Sequence, residues 1–110
     1  MHTRVKAEGI QHLHRLKVRL HRKRGGRCEM CQAELPKAEL TAHHRHYRNQ
    51  WDERPEDIVL LCVPCHVALH ERHVRGELTR EDAPFVDPAW VDDQGDIIPG
   101  RKSPLGGMTQ

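Results

Sequence analysis

The sequence predicts a small α+β fold, made of a basic N-terminal helix, two short strands, a second helix and an irregular C-terminal tail. Of its 110 residues, 36% are hydrophobic and 4% aromatic, so burial alone gives a thin core. Four cysteines occur as two Cys-x-x-Cys pairs, which offers a second means of holding the fold together. Apolar periodicity changes along the chain from helical to strand-like and back to helical.

Residues 3–24 are predicted to be helical, and residues 1–26 form the first unit. Apolar side chains recur there at steps of three and four residues; these are Ile10, Leu13, Leu16 and Leu20. Gly25 and Gly26 then end the helix, because glycine readily adopts the backbone conformation that follows a helical C-terminus.

The N-terminal unit is strongly basic although the whole chain has a net charge of only +2. Residues 1–27 carry nine Lys or Arg and one Glu, so they sum to +8 and the remainder to −6. Such a basic segment favours a polyanionic partner, and an ordinary solvated helix face is the alternative. The candidate nucleic-acid contacts here are Arg22, Lys23 and Arg24.

The four cysteines predict a tetrahedral zinc site that stabilises the fold. The first residues lack the apolar run of a signal peptide, and the longest apolar stretch, residues 58–63, is too short to span a membrane. A cytoplasmic location is therefore expected, where thiols stay reduced and bind metal. Equal spacing in both pairs favours zinc over an iron–sulfur cluster or a redox pair; the ligands are Cys28, Cys31, Cys62 and Cys65.

The central unit, residues 27–76, is predicted to contain a strand, a loop, a second strand and a helix, in that order. The strands are Leu40–His43 and Ile58–Leu61, separated by the polar loop 45–57. A helix over 65–75 ends at Gly76, and its apolar contacts are expected from Val67, Leu69 and Val74.

Residues 77–110 form an acidic tail that contains proline and glycine. Residues 82–110 are expected to be mostly extended or disordered. Trp90, Ile97 and Ile98 are apolar enough to dock onto something.

Histidines indicate a second metal site. His66 and His70 are four residues apart and share one helix face, whereas Cys65 diverges from His66 by roughly a quarter-turn. His43 and His44 lie where the first strand meets the loop. One of this pair can bind a metal while the other acts as a base that activates water.

The stretch AHHRHYRNQWDERPEDIVLLCVPCHVALH resembles the core of the HNH endonuclease family. The resemblance implies the ββα-metal (HNH) fold with a four-cysteine structural zinc site. It implies His44 as general base, His43 and His66 as metal ligands, and His70 as an additional ligand. It also implies that the loop between the strands is braced at position 57, where the family usually has Asn and this chain has Asp57.

The catalytic set implied by the resemblance is His44, Asp57 and His66. Tyr47 and Glu53 match the pattern of related bacterial and phage members and imply positioning roles. An ionised Asp57 accepts hydrogen bonds but cannot donate them, so the bracing role is only half explained by that side chain.

The resemblance further implies phosphodiester hydrolysis with one divalent metal, Mn²⁺, Ni²⁺, Zn²⁺ or Mg²⁺. The expected partner is double-stranded DNA, with no membrane involved. The alternatives are a non-catalytic zinc module that binds nucleic acid, a metal-dependent RNase, and the nuclease subunit of a larger phage or restriction assembly that docks through the tail. The expected phosphate contacts near the site are Arg45, Arg48 and Arg54.

The other polar residues of the loop and arm are assigned simpler roles. His46 is expected to face solvent or a phosphate, and Trp51 to pack. Asn49 has the wrong spacing to replace the family's Asn. The histidines of the arm are expected at the surface; they are His2, His12, His14 and His21.

Overall fold

The computed structural model describes residues 5–99 and shows a small α+β fold with ββα-metal architecture. Helix α1 (Lys6–Lys23) is followed by the antiparallel strands β1 (Leu40–His44) and β2 (Ile58–Cys62), and α2 (Val63–Val74) begins directly after β2. The predicted elements are confirmed, with shifts of up to three residues at their ends.

The two-stranded sheet forms the centre of the core. His43 pairs with Val59 and His44 with Ile58, and all five residues of β2 are buried. His43 is buried, whereas His44 is partly exposed. His43 faces α2, where it lies against His66.

Helix α1 packs on the sheet through a stripe that differs from the predicted one. Leu16 and Leu20 are buried as expected, but Ile10 is 52% exposed. Gly9 is buried instead and continues the inward face at the steps of four, three and four that a helix requires. The prediction missed it because glycine gives no hydrophobic signal.

Helix α2 buries only one of its three predicted apolar residues. Leu69 is fully buried, whereas Val67 and Val74 are 50% and 64% exposed. The inward face continues from Cys65 to Leu69, and Val67 lies about 200° around the helix from Cys65. The expectation that these two valines support the core was therefore wrong.

The first cysteine pair is joined to the outer edge of β2 through Glu29. Its amide donates to the Leu60 carbonyl at 2.8 Å, and its Oε2 accepts from the Leu60 amide at 2.7 Å. The Arg24 guanidinium donates to Glu29 Oε2 and to the Ile58 carbonyl. These contacts satisfy backbone groups that an edge strand otherwise leaves open.

The tail is irregular, as predicted, but its described part is folded onto the core. Two short helical turns, Arg80–Phe85 and Pro88–Trp90, follow Gly76, and Val86 and Trp90 belong to the core cluster. The expectation of an extended or disordered segment was therefore wrong up to residue 99, because Asp82 and Asp87 anchor it through ion pairs. Residues 100–110 lie outside the described residues.

Trp90 is 3% exposed and stacks on His73, so it packs within this chain and does not offer a docking surface. Ile97 packs against the same core. Within residues 5–99, no helix is both long and apolar enough to cross a membrane.

Candidate metal centre and catalytic site

The four cysteines converge on one point between the first loop and the start of α2. Their Sγ atoms all lie within 4.8 Å of one another, although thirty residues separate the two pairs in the chain. The amide of Cys31 donates toward Cys28 Sγ at 3.5 Å, and the Sγ atoms of Cys31 and Cys62 are 3.8 Å apart. This is the donor set and spacing of a closed four-sulfur metal site.

The surroundings of the cysteines shift the pKa values of their thiols in different directions. Burial acts to raise the pKa of Cys28, but amide hydrogen bonds from Cys31, Cys62 and Met30 outweigh it and lower the pKa to about 6. Burial raises the pKa of Cys62 and of Cys65. In the absence of a cation four thiolates repel each other at this distance, and a divalent metal removes that repulsion.

A second cluster consists of three imidazoles from two elements. His43 comes from β1, and His66 and His70 come from α2; one ring nitrogen of each lies within 4.8 Å of the others. The ring centroids of His43 and His66 are 4.9 Å apart, and those of His66 and His70 are 4.6 Å apart. Three convergent imidazoles fit a transition metal that keeps further positions for exchangeable ligands.

The surroundings of His43 and His66 favour the neutral ring that metal ligation requires. Burial and the neighbouring His66 lower the pKa of His43 to about 3, against an opposing hydrogen bond to the Phe85 carbonyl. Burial and then His70 lower the pKa of His66. Protons therefore compete weakly with a metal at His43 near neutral pH.

His44 is the next residue of β1 after His43, and it is held by a buried carboxylate. Its Nε2 is 2.8 Å from Glu53 Oε2, and its ring stacks on Tyr47 with centroids 4.7 Å apart and planes 20° apart. Glu53 Oε2 also accepts from the Trp51 amide. Glu53 Oε1 is buried and, within the part of the chain that is described, has no hydrogen-bond partner.

The loop between the strands is braced by a polar triad centred on Asp57. Asp57 Oδ2 accepts from Asn49 Nδ2 and from the Arg54 amide, both at 2.9 Å, and Oδ1 lies 2.9 Å from His46 Nε2. The Asp57 carbonyl accepts from the Arg45 amide. Asn49 thus donates its side-chain amide to the carboxylate at position 57.

His46 is also a bracing residue, because its side chain is 8% exposed and engages Asp57. Burial acts to raise the pKa of Asp57, and hydrogen bonds from Arg54, Asn49 and His46 lower it below its ordinary value. The expectation that His46 faces solvent was wrong.

Residues 28–72 match the family model described as HNH endonuclease. This part of the chain is similar to the HNH endonuclease family. No curated protein and no solved structure gave a significant match to the chain. The matched segment contains both candidate metal-ligand clusters and both strands.

Several of the predicted phosphate contacts make hydrogen bonds or ion pairs within the chain. The Arg45 guanidinium donates to the carbonyls of Ala83 and Val86, and Arg24 is bonded to Glu29 and backbone carbonyls. Arg48 makes a bidentate pair with Asp87. Arg24 and Arg45 are therefore bracing residues, a role that sequence composition does not distinguish from phosphate binding.

Other basic residues of α1 and the loop face outward. Arg15, Arg19 and Arg22 follow one another at steps of four and three and are exposed, so they form one stripe. Lys23 and Arg54 are exposed as well.

Among the histidines of α1, His14 is exposed. His12 and His21 instead contact the carbonyls of Glu53 and Leu35. The expectation of surface positions was wrong for these two, and His2 lies outside the described residues.

Proposed function

We propose that this protein is a metal-dependent endonuclease that hydrolyses phosphodiester bonds of double-stranded DNA. The observation that carries the proposal is the pairing of two groups on consecutive residues. His43 joins His66 and His70 in a three-imidazole cluster, and His44 is held by the buried Glu53 carboxylate. The match to the HNH endonuclease model supports nuclease chemistry at this site.

His44 acts as the general base. A carboxylate oxygen only accepts hydrogen bonds, so the contact with Glu53 fixes the proton of neutral His44 on Nε2 and leaves the Nδ1 lone pair for a water proton. The water oxygen attacks the phosphorus as His44 takes the proton, and the imidazolium that forms is then paired with Glu53. The bond between the phosphorus and the 3′ oxygen breaks, and the 3′ oxygen leaves as a hydroxyl with a proton from solvent, which gives 5′-phosphate and 3′-hydroxyl ends. Tyr47 holds the plane of the ring.

Metal binding is divided between the two clusters. Cys28, Cys31, Cys62 and Cys65 hold Zn²⁺ and join the loop before β1 to the start of α2. His43, His66 and His70 hold one divalent metal, and nitrogen donors favour Zn²⁺, Ni²⁺ or Mn²⁺ over Mg²⁺. When bound, that metal would supply positive charge that offsets the negative charge on the phosphate and on the leaving oxygen.

DNA binds through its backbone to the exposed stripe of Arg15, Arg19 and Arg22, with Lys23 and Arg54 nearer the loop. Such contacts supply affinity and not sequence choice. Arg48 is partly exposed, at 53%, so a phosphate can approach it while it stays paired with Asp87.

The proposal is tested by cleavage of supercoiled plasmid with purified protein in Mn²⁺, Ni²⁺, Zn²⁺, Mg²⁺ or EDTA. We expect metal-dependent nicking that falls by at least about a hundredfold in His44→Ala, while zinc content and helical signal stay unchanged. His14→Ala, an exposed histidine on α1, is the matched control and retains activity. Cleavage of RNA but not DNA, or equal activity in His44→Ala, contradicts the proposal.

A further inference from the structure

The C-terminal tail contacts a proposed metal ligand directly. The carbonyl oxygen of Phe85 lies 3.1 Å from Nε2 of His43, and His43 is 4% exposed. A carbonyl only accepts hydrogen bonds, so Nε2 of the neutral ring carries the proton and Nδ1 carries the lone pair. The contact therefore determines which nitrogen His43 can offer to a metal.

The backbone on both sides of Phe85 is fixed by residues that follow β1. The Arg45 guanidinium donates to the Ala83 carbonyl at 3.1 Å and to the Val86 carbonyl at 2.8 Å, so its two bonds bracket Phe85. Arg48 pairs with Asp87 through two bonds of 2.9 and 3.0 Å. The carbonyl that contacts His43 is thus held in register with the strand that carries His43.

The same segment is fixed to α2, which carries the other two imidazoles. Arg72 pairs with the buried Asp82 at 2.7 Å, and His73 stacks on Trp90 with ring centroids 4.8 Å apart and planes 8° apart. Residues 80–90 therefore connect both elements that supply the histidine cluster. Packing of apolar side chains alone does not require arginines on the carbonyls that flank Phe85.

We propose that residues 80–90 are a positioning element of the histidine metal site, in which the Phe85 carbonyl selects the Nε2–H form of His43 and presents Nδ1 to the metal. Outer contacts of this kind fix the ring form and orientation of metal-binding histidines. The inference rests on the proposed function only in taking His43, His66 and His70 as the ligand set. It extends the functional unit beyond the family match, which ends at residue 72.

The test replaces Arg45 with methionine in the full chain, which removes both bonds that bracket Phe85 and keeps an apolar stem of similar length. In protein loaded with zinc at the cysteines and free of metal at the histidines, ring nitrogen NMR of the parent is expected to show the Nε2–H form of His43 alone. Arg45→Met is expected to show a mixture of both forms. Calorimetric titration with Co²⁺ is expected to show affinity at the histidine site reduced about ten- to hundredfold.

Arg75→Met is the matched control, because Arg75 lies outside residues 80–90 and its ion pair is with Glu71 on α2. It should keep the parent's His43 signal and Co²⁺ affinity. Asp87→Asn, which loses the charge pair with Arg48 and keeps the oxygen that accepts from Ala89, provides a second variant if Arg45→Met unfolds. It is expected to lower Co²⁺ affinity in the same direction.

A mixture of ring forms in the parent, or Co²⁺ affinity within about twofold of the parent in both tail variants, overturns the inference. Neither readout depends on DNA cleavage. A parent that binds Co²⁺ with the expected His43 signal but leaves plasmid intact contradicts the nuclease proposal and leaves the positioning role supported.

Discussion

The imidazole of His44 is held from two sides, by the buried carboxylate of Glu53 and by the ring of Tyr47. The carboxylate is poorly compensated, because Glu53 Oε1 is buried without a partner among residues 5–99. A buried polar group without a hydrogen bond costs stability. The position of Glu53 beside His44, at a cost in stability, agrees with its proposed role in catalysis.

Glu53→Gln is therefore expected to separate activity from stability. The amide cannot pair with the imidazolium that forms as His44 takes a proton, so single-turnover cleavage should fall at least about tenfold. DNA affinity and the free energy of unfolding should change little. Glu56→Gln, at an exposed position of the same loop, should keep parental activity. A slow Glu53→Gln variant that also binds DNA poorly would indicate a structural role instead.

His43 makes stability sensitive to acid when its site holds no metal. Its pKa is about 3 in the folded chain, against roughly 6.5 when unfolded. The unfolded chain therefore binds the extra proton first, so the stability contributed above about pH 6.5 is lost as pH falls toward 3. One such proton gives a slope of up to about 1.4 kcal/mol per pH unit.

Denaturant unfolding between about pH 7.5 and 5.5, with zinc at the cysteines only, measures this slope. His43→Phe should flatten it, and His14→Phe should leave it as in the parent. Equal slopes in the parent and in His43→Phe would contradict the assignment of a neutral, buried His43.

Sequence patterns identified the candidate metal ligands better than the residues that orient them. Cysteine spacing and the paired histidines are local signals, and the structure brings these residues together as two clusters. Asn49 and Phe85 were missed for different reasons. Asn49 reaches Asp57 only because the loop folds back, and Phe85 acts through its backbone carbonyl, which has no signature in the sequence.

At the scale of elements, the packing of α1 against the loop between β1 and β2 depends on Gly9. A Cβ built at Gly9 would lie 2.5 Å from Trp51 Cε3 and 2.7 Å from its Cβ. Trp51 itself has a φ of 74°, an uncommon conformation for a bulky residue. His12 contacts the Glu53 carbonyl at 2.7 Å, so α1 supports the stretch that orients His44.

Gly9→Ala should consequently destabilise the protein, although alanine is favoured over glycine in helices by about 1 kcal/mol. We expect a net loss of roughly 1–3 kcal/mol in the free energy of unfolding, from overpacking against Trp51. Cleavage should fall as well, since Glu53 shifts with the loop. Gln11→Ala, on the exposed side of α1, should be neutral. An increase in stability in Gly9→Ala would contradict the observed packing.

The C-terminal tail shows why the ordered packing of an irregular segment is hard to predict from sequence. Proline and glycine correctly predicted irregular backbone after Gly76. They gave no sign that Asp82 and Asp87 would pair with Arg72 and Arg48, because those partners lie 10 and 39 residues away. Ordered irregular structure of this kind depends on long-range contacts.

For the molecule as a whole, the charge asymmetry of the sequence corresponds to an exposed arginine stripe on α1. Each phosphate contact adds about 0.9 to the steepness with which log affinity for duplex DNA falls against log salt concentration. Arg22→Ala should therefore reduce that slope by nearly one unit. Arg75→Ala, at an exposed position beyond α2, should leave it unchanged. Equal slopes in the parent and in Arg22→Ala would exclude the stripe from the interface.

We propose that the two metal sites have separate roles. The four cysteines hold a metal that stabilises the fold, and the three histidines hold the metal that is needed for cleavage. The most direct test removes metal stepwise with a chelator while metal per chain, helical signal and plasmid cleavage are measured on the same samples. We predict that cleavage disappears when one zinc per chain remains and the fold is intact, and that Mn²⁺ or Ni²⁺ restores it. Cleavage that persists at one zinc per chain, or that is lost only together with the fold, would contradict the account.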